Sequence, residues 1–168
     1  GAVRHFPEAA ASFAQVEGAL RIYFHGLGGE ASLTLKAAKP EVSHHRLDRR
    51  RRLGLTAERI GRSRLDGENL LLPDVIDVLP EAALNQRLYY WLAAWNAVAA
   101  TLPRPQRHRD PLLADVERAR HAIQATSRVL AMFPGLKRHH QALAAALLEL
   151  RPRRRLPAAE SLVEQMIT

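Results

Sequence analysis

One segment, held between Pro80 and Pro103, constrains the fold more than any other. Across residues 81–100, Leu84, Leu88, Trp91, Leu92, Trp95 and Val98 recur at i, i+4, i+7 spacing, the period of a helical face. Both tryptophans of the chain lie on this ladder, and Tyr89 and Tyr90 stand beside them. A helix so rich in large apolar side chains needs heavy packing, so the tryptophan pair reads as core and not as an aromatic binding face. The rest of the chain must supply the elements that cover it.

Those elements follow from changes of period. Pro7 and Glu8 suit a first helical turn. Phe13, Val16, Leu20, Tyr23, Phe24 and Leu27 then recur at helical spacing until Gly28-Gly29, which predicts a helix over 8–27. Leu33 and Leu35 alternate with polar residues before Pro40, and Asp66-Gly67 stands between two strand-like runs. Asp-Gly in that setting signals a hairpin, so residues 31–73 are expected to hold a small antiparallel sheet of about three strands. Asp110-Pro111 opens a helix over 111–133, with Val116, Ile123 and Leu130 at seven-residue spacing. Pro134-Gly135 breaks it, and 136–150 follows with Leu136, Leu143, Leu147 and Leu150 facing inward. Pro157 opens a last helix, 157–167, with Leu162, Val163, Met166 and Ile167. The expected class is α+β, mostly α: a helical bundle with a small sheet inserted after the first helix. The chain has 168 residues, enough for one domain (1–168) to bury a core without disulfides.

Chemical motifs are sparse. There is no cysteine, which excludes a thiol nucleophile and a zinc-thiolate site. No His-Glu-x-x-His and no Gly-x-Ser-x-Gly occurs. His44-His45 and His139-His140 are adjacent pairs, and neighbours on a helix point about 100° apart, so they read as surface or packing groups, as does His121. Residues 26–30, Gly-Leu-Gly-Gly-Glu, follow a helix instead of preceding one and lack the lysine of a phosphate loop, which makes them a helix cap. Asp66, Glu68, Asp74 and Asp77 read as turn and loop carboxylates. No catalytic, cofactor-binding or metal-binding residue is therefore assigned. No apolar run reaches the roughly 18 residues of a membrane span, and no signal-peptide pattern opens the chain, so a cytoplasmic location is expected.

The charge is unusual: 25 Lys+Arg against 17 Asp+Glu give +8, and the pI is near 10.9. It is laid out in blocks. Residues 36–64 hold ten basic and three acidic side chains, whereas 65–103 hold one basic and five acidic. The densest runs are Arg49-Arg50-Arg51-Arg52 and, with Arg151, Arg153-Arg154-Arg155. They read as a surface for an acidic partner. Nucleic-acid binding is the alternative of another class. It lacks the aromatic interleaving of single-strand binders and a recognition helix.

The stretch from Leu65-Asp66-Gly67-Glu68-Asn69 through Leu84-Asn85-Gln86-Arg87-Leu88-Tyr89-Tyr90-Trp91 to Trp95 resembles the N-terminal region of the CbbO/NorD proteins, as does the Phe24-His25-Gly26-Leu27-Gly28-Gly29 segment upstream. The resemblance implies an adaptor that carries a C-terminal von Willebrand factor A domain and works with a hexameric MoxR-type AAA+ ATPase, CbbQ or NorQ, which hydrolyses the ATP. The target would be Rubisco in the CbbO branch and nitric oxide reductase in the NorD branch, with the lean toward Rubisco. The Asp-x-Ser-x-Ser metal motif of the A domain is absent from the sequence. The resemblance thus implies an N-terminal fragment of a longer protein, with no cofactor of its own.

Overall fold

The computed structural model describes residues 4–38 and 63–150. A 3-10 turn, Pro7–Ala9, leads into β1 (Ala11–Ser12) and α1 (Phe13–Gly26). Strands β2 (Thr34–Ala38), β3 (Arg64–Asp66), β4 (Asn69–Pro73) and β5 (Val75–Ile76) follow. The helices α2 (Ala82–Ala99), α3 (Pro111–Met132) and α4 (Lys137–Glu149) complete the described part, a 3-10 turn at Pro134–Leu136 joining the last two. The class is α+β and mostly α, as expected.

The α2 helix is the axis, packed against α1, α3, α4, β1 and β5. Leu88, Tyr89, Trp91, Leu92 and Val98 are buried on it, and so are Ala93, Ala94 and Ala97. Large residues fill the space on one side while the alanines let neighbouring helices approach closely. Each large apolar side chain removed from water here contributes about 1.5–3 kcal/mol. From α1 come Phe13, Val16, Leu20 and Phe24, the inward residues of its expected ladder.

Three details depart from expectation. The first helix begins at Phe13 instead of residue 8. Pro7 and Glu8 start only the short 3-10 turn, and the Ser12 backbone N–H donates to Gln15 Oε1 at 3.0 Å, the return arm of a capping box. Ala11 and Ser12 are instead paired antiparallel with Ile76 and Val75. Second, the three-stranded sheet has the order β2-β4-β3 and is mixed. The hairpin pairs β3 and β4 antiparallel around a Gly67-Glu68 loop, with Asp66 opposite Asn69. Of the two loop residues only Gly67 has positive φ (56°), which fits a type II′ turn. But β2 runs parallel to β4, Leu35 opposite Leu70. Such a pairing needs a crossover of a dozen or more residues, and the chain from the end of β2 to the start of β4, residues 39–68, is longer than that. Third, Val116 and Ile123 are 53% and 56% exposed. On α3 the buried residues are Ala125 and Val129, which lie round the helix from the Val116–Ile123 stripe; Leu130 is half-buried. Residues 157–167 lie outside the described residues.

The α1 C-terminus is closed by backbone bonds. Gly29 N–H donates to Phe24 O at 2.9 Å and Gly28 N–H to His25 O at 3.0 Å, with Gly28 at φ 85°. This is a Schellman motif, so residues 26–30 are a cap.

Candidate functional site

Asn85 and Tyr89, one turn apart on α2, form a buried polar clasp. The Asn85 carboxamide nitrogen donates to Ala9 O (2.7 Å) and Leu79 O (2.9 Å), and its oxygen accepts from Leu79 N–H (3.0 Å). The Tyr89 hydroxyl donates to Pro73 O at 2.7 Å, with Asp74 O at 3.1 Å. Burial pushes the Tyr89 phenol well above its ordinary pKa, and the Asp74 carboxylate adds to the effect, so it stays a neutral donor. Together these side chains tie the N-terminal segment and the end of β4 to α2. Their role is to hold the fold in place, and no reactive group lies among their partners.

Around the helix from this clasp, the surface opens into a cleft of about 250 Å³ lined by Tyr23, Arg87, Tyr90, Trp91, Leu136 and His139. Leu136 and His139 come from the turn into α4, Tyr23 from the last part of α1, and the other three from α2. The Tyr23 and Tyr90 rings meet edge to face at 5.1 Å. Burial raises the Tyr23 phenol above its usual pKa, with a smaller push from Tyr90. The Tyr23 hydroxyl is sealed from solvent and has no partner among the described residues. A second, wider and more open depression of about 750 Å³ runs between residues 102–106 and α3. Its one carboxylate, Glu117, pairs with Arg120 at 3.3 Å.

Two of the described histidines pack on tryptophans, whereas His5, His25 and His139 are exposed. The His140 ring lies 4.7 Å from Trp91, and His121 meets Trp95 edge-on at 6.2 Å. His5 pairs with Asp77 at 2.8 Å. Among the described residues no group of three or more His, Asp or Glu could hold a metal ion. Burial lowers the His140 pKa below its unfolded value of 6.5. The folded state thus favours the neutral ring, so stability is held above pH 6.5 and declines as pH falls toward the lowered value. Thermal melts from pH 7 to 5 are expected to show that decline, and His140→Phe should flatten part of it. Equal slopes for the two chains would remove His140 as a cause.

The expected partner-binding residues, Arg49, Arg50, Arg51, Arg52, Arg153, Arg154 and Arg155, lie outside the described residues, as do His44 and His45. Asp66 precedes the hairpin turn and Glu68 lies in it, and Asp74 and Asp77 lie beside β5. Trp91 is core with an edge in the cleft, and Trp95 packs against the core from a half-buried position. The cleft and the clasp escaped the sequence reading. An asparagine interrupting an apolar helix was the one available signal for the clasp.

The described residues thus define a mostly helical α+β domain whose enclosed surface feature is an aromatic cleft with a cationic edge. The chain is homologous to a segment of NorD proteins, which supports membership of the NorD family. It is 34% identical over 171 aligned positions to Protein NorD of Brucella suis biovar 1, covering 99% of this chain and 26% of that protein. It is 31% identical to Protein NorD of Stutzerimonas stutzeri over 95% of this chain and 24% of that protein. An uncharacterized protein of Pseudomonas aeruginosa is 33% identical over 79% of the chain and 20% of its own length. The chain therefore spans about a quarter of the NorD proteins it matches. No family model and no solved structure matches it. No helix among the described residues is long and apolar enough to cross a membrane.

Proposed function

We propose that this chain is a non-enzymatic adaptor domain of a NorD-type protein, working in the activation of nitric oxide reductase by docking on a hexameric MoxR-type AAA+ ATPase. The observation that carries the reading is the 34% identity to a NorD protein across 99% of the chain. The NorD name of the relatives favours the nitric oxide reductase branch over the Rubisco branch. In this reading the ATPase supplies the chemical work, and the present chain supplies contact surface. Arg49–Arg52 and Arg153–Arg155 are proposed to contribute to that surface through attraction to an acidic face.

The test is to mix the chain with a MoxR-type ATPase from the same organism and follow both on a sizing column. Comigration and a changed ATPase rate are expected. Replacing Arg49, Arg50, Arg51 and Arg52 with glutamine should weaken the contact about tenfold at low salt, with the gap narrowing as salt rises. Separate elution together with an unchanged ATPase rate would end the adaptor reading. The net charge of +8 favours a second reading, nucleic-acid binding. Duplex DNA retained at about 50 mM salt and lost steeply above it would support that reading instead.

A further inference from the structure

The charges on α4 are placed against its dipole. The first turn carries Lys137 and Arg138 with no acidic residue, and the last residue is Glu149. A helix N-terminus favours anions and its C-terminus favours cations, each by about 0.3–1 kcal/mol. Both ends of α4 therefore carry the disfavoured sign. Local rules broken without a compensating contact in the fold mark places where function has a claim.

That first turn borders the aromatic cleft. His139 lines it, Leu136 forms one wall, and Arg87 approaches from α2. Lys137 and Arg138 are exposed next to His139. No lining residue is a carboxylate, and Arg87 pairs with no carboxylate among the described residues. The walls are Tyr, Tyr, Trp and Leu, and Trp, Tyr and Arg are the residue types that dominate binding energy at protein interfaces. A volume near 250 Å³ is below the usual size of a cofactor or drug-sized pocket. It suits one large side chain. A ligand entering it meets the Tyr23 ring, the hydroxyl being sealed.

We infer that the cleft between α1, α2 and the start of α4 is a docking site for an acidic segment of a partner protein, which inserts one aromatic or large aliphatic side chain between Tyr90, Trp91 and Leu136 and sets its carboxylates against Arg87, Lys137 and Arg138. The inference rests on the adaptor reading for its biological partner, although the cleft's chemistry can be tested without that partner. Binding would also relieve the misplaced charge at the α4 N-terminus, because the partner supplies the anions that the helix lacks.

The chain has two tryptophans, which gives the test an internal control. Trp91 lines the cleft, whereas Trp95 faces His121. The probe is the peptide acetyl-Glu-Asp-Phe-Glu-Asp-amide, titrated into the 15N-labelled 168-residue chain while both indole N–H resonances are followed. A saturable shift of the Trp91 resonance with Trp95 unmoved is expected. The same peptide with alanine for phenylalanine, or with lysine for its four acids, should bind at least about tenfold more weakly, as an interface anchor and its charge pairs would require. Lys137→Glu with Arg138→Glu should weaken the acidic peptide at least about fivefold at low salt. The same pair should raise the melting temperature, since it corrects the helix dipole. That opposition separates a binding role from simple damage to the fold. Loss of the Trp91 preference, or equal affinity for the acidic and basic peptides, would overturn the cleft. If the ATPase still comigrates with a variant that no longer binds peptide, the cleft is not its docking site, and the adaptor reading survives.

Discussion

Replacing Asn85 with alanine is expected to lower the unfolding free energy by about 3–4 kcal/mol. The side chain is fully buried and satisfies three backbone groups: Leu79 N–H, Leu79 O and Ala9 O. Alanine would leave all three without a partner, and a buried polar group left unpaired costs about 1–3 kcal/mol. Some of that is recovered if water enters the gap, so the sum does not reach the full additive value. Urea denaturation followed by tryptophan fluorescence reads the change directly. Gln86→Ala, at the exposed neighbouring position, serves as control and should stay within about 0.5 kcal/mol. A loss below about 1 kcal/mol for Asn85→Ala would mean that these carbonyls and the amide find other partners, and the clasp would lose its standing.

Gly29→Ala is expected to cost about 2–3 kcal/mol, more than Gly28→Ala at about 1–2 kcal/mol. The ordering is the opposite of what backbone angles alone suggest. Gly28 is the residue with positive φ, but a Cβ there meets open space. At Gly29 a Cβ would overlap the Phe24 ring, coming within 2.6 Å of Cζ. Phe24 is 1% exposed and held among core residues, so the ring has no room to retreat. Thermal melts of the two variants decide the point. If Gly28→Ala proves the more damaging, the strain at the cap outweighs the clash beneath it.

Much of the fold could be read in the sequence wherever its cause is local. The α2 ladder, the Asp110-Pro111 cap and the break at Pro134 are set by spacing and by single residues, and each stands where the pattern placed it. The α1 start was misread because Pro7 and Glu8 fit a helix opening that Ser12 and Gln15 fit five residues later. The parallel β2–β4 pairing was not legible, since register between strands some 35 residues apart depends on tertiary packing. Spacing also misled on α3. Val116 and Ile123 share a face, yet periodicity does not say which face meets the core. Small residues decided that, with Ala125 and Val129 packed inward. For the site, the arginine runs were visible as charge, whereas the cleft needed three elements brought together from positions 23 to 139.

The clasp has one more consequence, which concerns the order in which the chain is made. Ala9 leaves the ribosome 76 residues ahead of Asn85, and Ala11 is 78 residues ahead of Tyr89. The same delay applies to β1, whose partner strand begins at Val75. The segment around residues 6–12 is therefore synthesised early but can be fastened only after the first turns of α2 emerge. Until then Phe13, Val16 and Leu20 also lack most of the helix they pack against. Vectorial synthesis thus leaves this N-terminal portion waiting with its apolar face uncovered, a period in which chaperones have their best access to it.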